Sequence, residues 1–264
     1  MFEIFSSPDA WVALLTLTFL EIILGIDNIV FISIAADKLP EHQQRKATNL
    51  GLMLAMLQRI LLLLGVSFLV GLKEPFYTIT WSWLEVGISW QALILFFGGL
   101  FLLYKSTSEI HEKLDEPGQE EHELKAKKIT SLSKAIVQIV IIDFIFSIDS
   151  ILTAVGMTNG IGEHHNDALI LMIIAVVISI LIMMLFANPI REFISAHPSM
   201  QLLALSFLIL IGFMLVTEAA HLSGTVIFGQ TIGAIPKGYL YFAIAFSLLV
   251  EFLNMKLKKK TIKK

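Results

Sequence analysis

The sequence predicts an all-α, polytopic membrane protein: seven transmembrane helices, arranged as two inverted three-helix repeats plus a seventh helix. Three observations predict it. The chain of 264 residues is 56% hydrophobic and only 16% charged, with mean hydropathy +0.80, whereas soluble domains carry roughly a quarter charged residues. Most of that apolar content falls into seven runs of membrane-spanning length. Finally, one unusual acidic pattern occurs twice, once in the first run and once in the fourth.

The runs cover residues 11–36, 50–72, 90–104, 133–157, 168–187, 200–217 and 239–255. Each is near the ~20 residues needed to cross a ~30 Å hydrocarbon core, and the third is short unless it begins before Trp90. Backbone polar groups cannot be left bare in lipid, so helices are the default for such runs. The first run reads as a retained span rather than a cleaved signal. Glu3 and Asp9 precede it, no Lys or Arg does, and no small-residue cleavage site follows a short apolar core.

Lys and Arg set the expected orientation. With the N-terminus outside and the C-terminus cytoplasmic, 15 of the 19 basic residues fall inside, including Arg45, Arg191 and the tail at 256–264. Lys73 and Lys237 fall outside, while Arg59 and Lys105 lie within or at the end of spans. The polar stretch 106–132 then becomes a cytoplasmic, solvated linker between a first repeat at 11–105 and a second at 133–218. It carries too little apolar surface to fold by itself. His164 and His165, after Glu163, are expected in a solvated outer loop, and the Met residues of the spans read as core or lipid filling.

The repeat is visible in the letters. LEIILGIDNIVFI (Leu20–Ile32) aligns with IDFIFSIDSILTA (Ile142–Ala154), matching Glu21 to Asp143, Asp27 to Asp149 and Asn28 to Ser150. GLFLLYK (Gly99–Lys105) likewise echoes GFMLVTE (Gly212–Glu218). The second and fifth spans match more weakly, each with a polar break at Gln58-Arg59 or Asn188-Pro189. Three spans per repeat make the second copy cross in the opposite sense. Inverted repeats of this kind place a substrate site at their interface near the bilayer midplane.

An acid at a helix centre costs roughly 2.5–3.5 kcal/mol on insertion scales, so Glu21, Asp27, Asp143 and Asp149 need partners, protons, water or a cation. At 100° per residue, Glu21 shares a face with Asn28, and Asp143 with Ser150. Asp27 and Asp149 sit about 120° further round, and an unwinding at Gly25 would turn Asp27 and nearby carbonyls inward. Such a set of carboxylate, amide and hydroxyl oxygens suits Mg²⁺, Ca²⁺ or Mn²⁺. Glu218 and Glu251 are secondary candidates along a transport path. With no Cys, thiolate metal sites, Fe–S clusters, redox pairs and Cys nucleophiles are excluded. The net charge of −3 gives nucleic-acid binding no support. No HExxH, GxSxG or P-loop pattern occurs, so neither hydrolysis nor nucleotide-driven pumping has a motif behind it.

LEIILGIDNIVF, DFIFSIDSI, FFGGLFLLYKSTSEIHE, ILIGFMLVTEAAH and GYLYFAIAFSLLVEFLN resemble the TerC family of integral membrane proteins, over roughly residues 11–254. The resemblance implies a LysE-type transporter architecture, a link to tellurite resistance in some members and Mn²⁺ export in others. It carries over Glu21, Asp27, Asp143 and Asp149, with Asn28 beside Asp27 and Ser150 in its place in the second copy. The expectation is an inner-membrane exporter of divalent cations, Mn²⁺ first, with no resident cofactor and no enzymatic activity. Its partners are the lipid bilayer, the cation and, for assembly, further copies of itself. The rival expectations are a non-transporting accessory protein of metal or tellurite resistance and a membrane-embedded metal-dependent enzyme.

Overall fold

The computed structural model describes residues 7–114, 131–158 and 165–261. Among them, seven helices are long and apolar enough to cross a membrane. They are α1 (Pro8–Asp37), α2 (Glu41–Leu64), α4 (Trp90–Leu114), α5 (Leu132–Thr158), α6 (His165–Ser195), α7 (Pro198–Leu222) and α8 (Lys237–Thr261), with a short α3 (Val66–Gly71) after α2. Local chemistry sets several of their ends. Pro8 and Pro198 open α1 and α7, where the missing N–H has no helical partner to lose. Ser89 Oγ accepts the Ala92 N–H at 3.2 Å and so caps α4.

The observed helices depart from the hydropathy runs in three places. The second run breaks at Gly65, which separates α2 from α3. The third starts at Trp90 but continues to Leu114, so residues 106–114 of the expected linker are helical. Ser106 and Glu109 are buried there, and Lys105 Nζ sits 2.8 Å from Glu109 Oε1, one turn on. Thus Lys105 meets an acid of its own helix instead of simply reaching for the interface. Third, α1 runs unbroken through Gly25, against the expected unwinding. A side chain at Gly25 would collide with Met183 of α6, so the glycine serves close helix packing.

The chain forms two compact units, and neither coincides with one repeat. The first comprises residues 1–74 and 119–193 and holds α1, α2, α3, α5 and α6. Here α2 lies against α5 through a stripe spaced four residues apart: Ala47, Gly51, Ala55, Arg59 and Leu63 are all buried. A Cβ on Gly51 would stand 3.0 Å from Ile139 of α5, so small residues let the helices close up and deliver Arg59 into the interior. Near the other end of α2, Arg45 Nη2 donates to Glu192 Oε1 at 2.8 Å, and Arg191 donates to Gln44. The Arg45–Glu192 pair is exposed on both sides and screened by water, so Arg45→Ala is expected to leave unfolding in detergent close to wild type.

The second unit comprises residues 75–118 and 194–264. Its core is α4 against α7, where Gly99 faces Gly212: a Cβ on Gly99 would lie 2.6 Å from the Gly212 carbonyl oxygen. These are the glycines that the two echoing segments align. Backbone cannot yield as a side chain does. Gly99→Ala should therefore lower thermal stability in detergent by about 1–3 kcal/mol. Gly71→Ala, with nothing within 4 Å, should leave it unchanged.

This unit also contains a four-stranded antiparallel sheet that hydropathy did not announce: β1 (Pro75–Thr80), β2 (Leu84–Ser89), β3 (Val226–Ile227) and β4 (Gln230–Thr231), in that order. β3 and β4 are joined by Phe228 and Gly229, both at positive φ (50° and 77°), the backbone a two-residue hairpin with this twist requires. Trp83 and Phe228 pack with ring centroids 6.0 Å apart, and Phe76 lies 5.0 Å from Trp90. These aromatics, with Trp81 and Tyr77, are exposed, a composition that suits a membrane–water interface.

Large apolar side chains line the outward faces of the helices: Val12, Leu15 and Phe19 form one exposed stripe on α1, and Phe242, Phe246, Leu249 and Leu253 another on α8.

Candidate functional site

The first unit buries three charges in one cluster. Arg59 (2% exposed) comes from α2, Glu21 (4%) from α1 and Asp143 (4%) from α5. The guanidinium grips Asp143 through two bonds, Nη2 to Oδ1 at 2.7 Å and Nε to Oδ2 at 3.2 Å, and Nη1 donates to Glu21 Oε2. A planar fork on a carboxylate is the geometry for which Arg is suited and Lys is not. Asn28 Nδ2 donates to Asp143 Oδ1 at 2.9 Å, and Ser147 Oγ donates to Asp143 Oδ2 at 3.0 Å. Asp143 is therefore the hub, reached by three side chains from three helices.

The helical arithmetic accounts for the convergence. Glu21 and Asn28, two turns apart on one face of α1, meet Arg59 of α2 and Asp143 of α5 respectively. Asp143, Ser147 and Ser150 are all buried on α5, and the Ser150 hydroxyl bonds back to the Ser147 carbonyl at 3.3 Å. The acids that the repeat aligns, Glu21 and Asp143, thus share one guanidinium.

Of the other sequence candidates, Asp149 is half-buried on α5, where its carbonyl accepts the Thr153 hydroxyl at 2.9 Å. Asp27 lies within α1, but its side chain is outside the described residues, as are Glu163 and His164. Glu218 and Glu251, on α7 and α8, are half-buried in the second unit. Among the described residues no three His, Asp or Glu side chains are grouped to hold a metal.

Arg59 is the member that residue patterns missed as a partner. Its signal was present, since an Arg inside an apolar run needs an acid, and the neighbouring spans hold several. The net charge of Glu21, Asp143 and Arg59 is one negative. Asn28 Oδ1 is buried with no hydrogen-bond partner, although its amide nitrogen is bonded to Asp143. Thr18 Oγ1, one turn before Glu21, is likewise buried and unpartnered. Chemically, the cluster offers two carboxylates plus neutral oxygens, in surroundings that disfavour unpaired negative charge.

Lipid-facing apolar helices around a buried ionic cluster define a polytopic integral membrane protein with charge chemistry inside its span. The chain belongs to the TerC family of integral membrane proteins, whose family description matches residues 6–264. It is 42% identical over 259 residues to a UPF0053 protein of Haemophilus influenzae, covering 98% of this chain and 99% of that one. It is 44% identical over 260 residues to the UPF0053 inner membrane protein YgdQ of Escherichia coli K12, covering 98% of each. The UPF0053 protein YegH of the same bacterium is 43% identical over 252 residues, which are 96% of this chain but 43% of that longer one. No solved structure matches this chain.

Proposed function

We propose that the protein exports divalent metal cations, Mn²⁺ first among them, across the inner membrane by alternating access. The observation that carries the reading is the convergence of Glu21 and Asp143, aligned in the two repeats, beside the unpartnered oxygen of Asn28. Hard oxygen donors at the bilayer interior have few other uses that recover their insertion cost. Asp27, Asp149 and Ser150 complete the proposed cation path. The name of the E. coli relative YgdQ supports the inner membrane, and the basic bias supports an outside N-terminus and a cytoplasmic C-terminus. The aligned acids meeting on Arg59 and the aligned glycines Gly99 and Gly212 meeting each other are what an inverted repeat would bring to its axis.

Moving two charges out against 100 mV costs about 4.6 kcal/mol, at ~2.3 per charge, so export needs a driving ion. Exchange of protons on the same carboxylates would supply it. We read the protein as a transporter and not an enzyme. One observation favours the accessory rival: Arg59 already neutralises one of the acids.

Cell manganese separates the two. In a manganese-sensitive host, expression of the wild type should lower cell Mn content by several-fold at fixed external Mn²⁺, measured by elemental analysis. Glu21→Gln at equal membrane abundance should not. Equal Mn content with either protein would contradict the reading.

A further inference from the structure

Arg59 offers a positive charge where the proposed cargo would need to sit. It lies at the end of the small-residue stripe of α2, on a long side chain, and occupies both aligned carboxylates at once. We propose that Arg59 is the counter-cation of the empty carrier: it holds Glu21 and Asp143 when no cargo is bound, and the arriving divalent cation displaces it. This rests on the export reading above and adds what the protein does between cargoes.

The argument is one of charge. A carrier that releases a dication must bring its emptied carboxylates back through the bilayer, and unpaired buried carboxylates resist that step strongly. Many such carriers could return only with a second cargo ion. Here the guanidinium neutralises one of the two charges and satisfies both Asp143 oxygens, so the empty form can reorient. The fork on Asp143 is strong enough to hold the acids, yet Asn28 Oδ1, on a side chain that is itself bonded to Asp143, stays unsatisfied. The bonds of the guanidinium all go to the two carboxylates and pass Asn28 Oδ1 by, whereas a bare cation takes such an oxygen as a ligand. The cluster thus fits two cations in turn: Arg59 by its carboxylates, the dication by its carboxylates and the Asn28 oxygen.

The test compares two fluxes of radioactive Mn²⁺ in proteoliposomes: net uptake into Mn²⁺-free vesicles, and exchange against Mn²⁺ already inside. Wild type should perform both. Arg59→Gln should keep exchange while its ratio of net uptake to exchange falls at least about tenfold, the factor that 1.4 kcal/mol represents. The same variant should bind Mn²⁺ at least about tenfold tighter by calorimetry, since a competing cation is gone, a change that mere misfolding cannot produce. Arg59→Lys, which retains a cation without the fork, should give a ratio between those of wild type and Arg59→Gln. An equal loss of both fluxes in Arg59→Gln without tighter binding, or an unchanged ratio, overturns the proposal while leaving cation export standing. Absence of both fluxes in wild type overturns the export reading and this inference together. Infrared difference spectra of wild type make the test independent of variant folding. Saturating Mn²⁺ should shift guanidinium bands identified by arginine isotope labelling, and unmoved arginine bands would overturn the displacement.

Discussion

Asp143→Asn is expected to abolish metal export and to lower stability at once, the largest effect of any single change in the chain. Asp143 receives two bonds from Arg59 and one each from Asn28 and Ser147. Replacing the carboxylate leaves the guanidinium with Glu21 alone and puts an amide N–H among donors. Breaking one side of a buried charge pair costs about 3–5 kcal/mol, and unfolding in detergent by heat should register most of it. Ser147→Ala removes one hydrogen bond to the carboxylate and should cost about 1.5–3 kcal/mol. Transport should separate the variants as well, with Mn²⁺ flux lost in Asp143→Asn and reduced in Ser147→Ala by the ~10–100-fold typical of an outer partner of a metal ligand. Equal stability of the two variants would remove Asp143 from the centre of the cluster.

Neutralising the second acid of each repeat should have the opposite profile. Asp27→Asn and Asp149→Asn are each expected to abolish export and leave insertion and thermal stability near wild type. An amide is cheaper than a carboxylate to place in a span. Glu85→Gln, at an exposed position of β2, should transport normally. Normal manganese export by both Asp variants would count against a path that runs through the repeat.

The membrane class, the seven spans and the acids that meet were legible in the sequence, for one physical reason. Insertion into lipid is so costly for charge that each intramembrane acid stands out, and helical geometry then fixes which neighbours share its face. Glu21, Asn28, Asp143 and Ser150 could be placed on two buried faces without knowing how the helices pack. Arg59 could not be assigned a partner, because that needs α2 to lie against α5. Its Ala47, Gly51 and Ala55 look like ordinary span residues until the contact is known. Hydropathy was also blind to helix ends in water. Residues 106–114 are polar, yet α4 continues through them with Glu109 buried. The sheet was hidden differently: Phe76, Tyr77, Trp81 and Trp83 border the second and third runs, and aromatic residues suit both strands and membrane interfaces. At Gly25 the expected unwinding failed since Met183 fills the space its missing side chain leaves.

The central claim is that these carboxylates carry a divalent cation through the membrane, and ion flux through the purified protein tests it most directly. Reconstituted in vesicles with and without a pH gradient, the wild type should carry Mn²⁺ and do so faster when protons can move the other way. Asp143→Asn, Asp27→Asn and Asp149→Asn should be inert under the same conditions. Zero flux of Mn²⁺, Ca²⁺, Mg²⁺ and Zn²⁺ by the wild type, with the gradient and without it, would contradict the account.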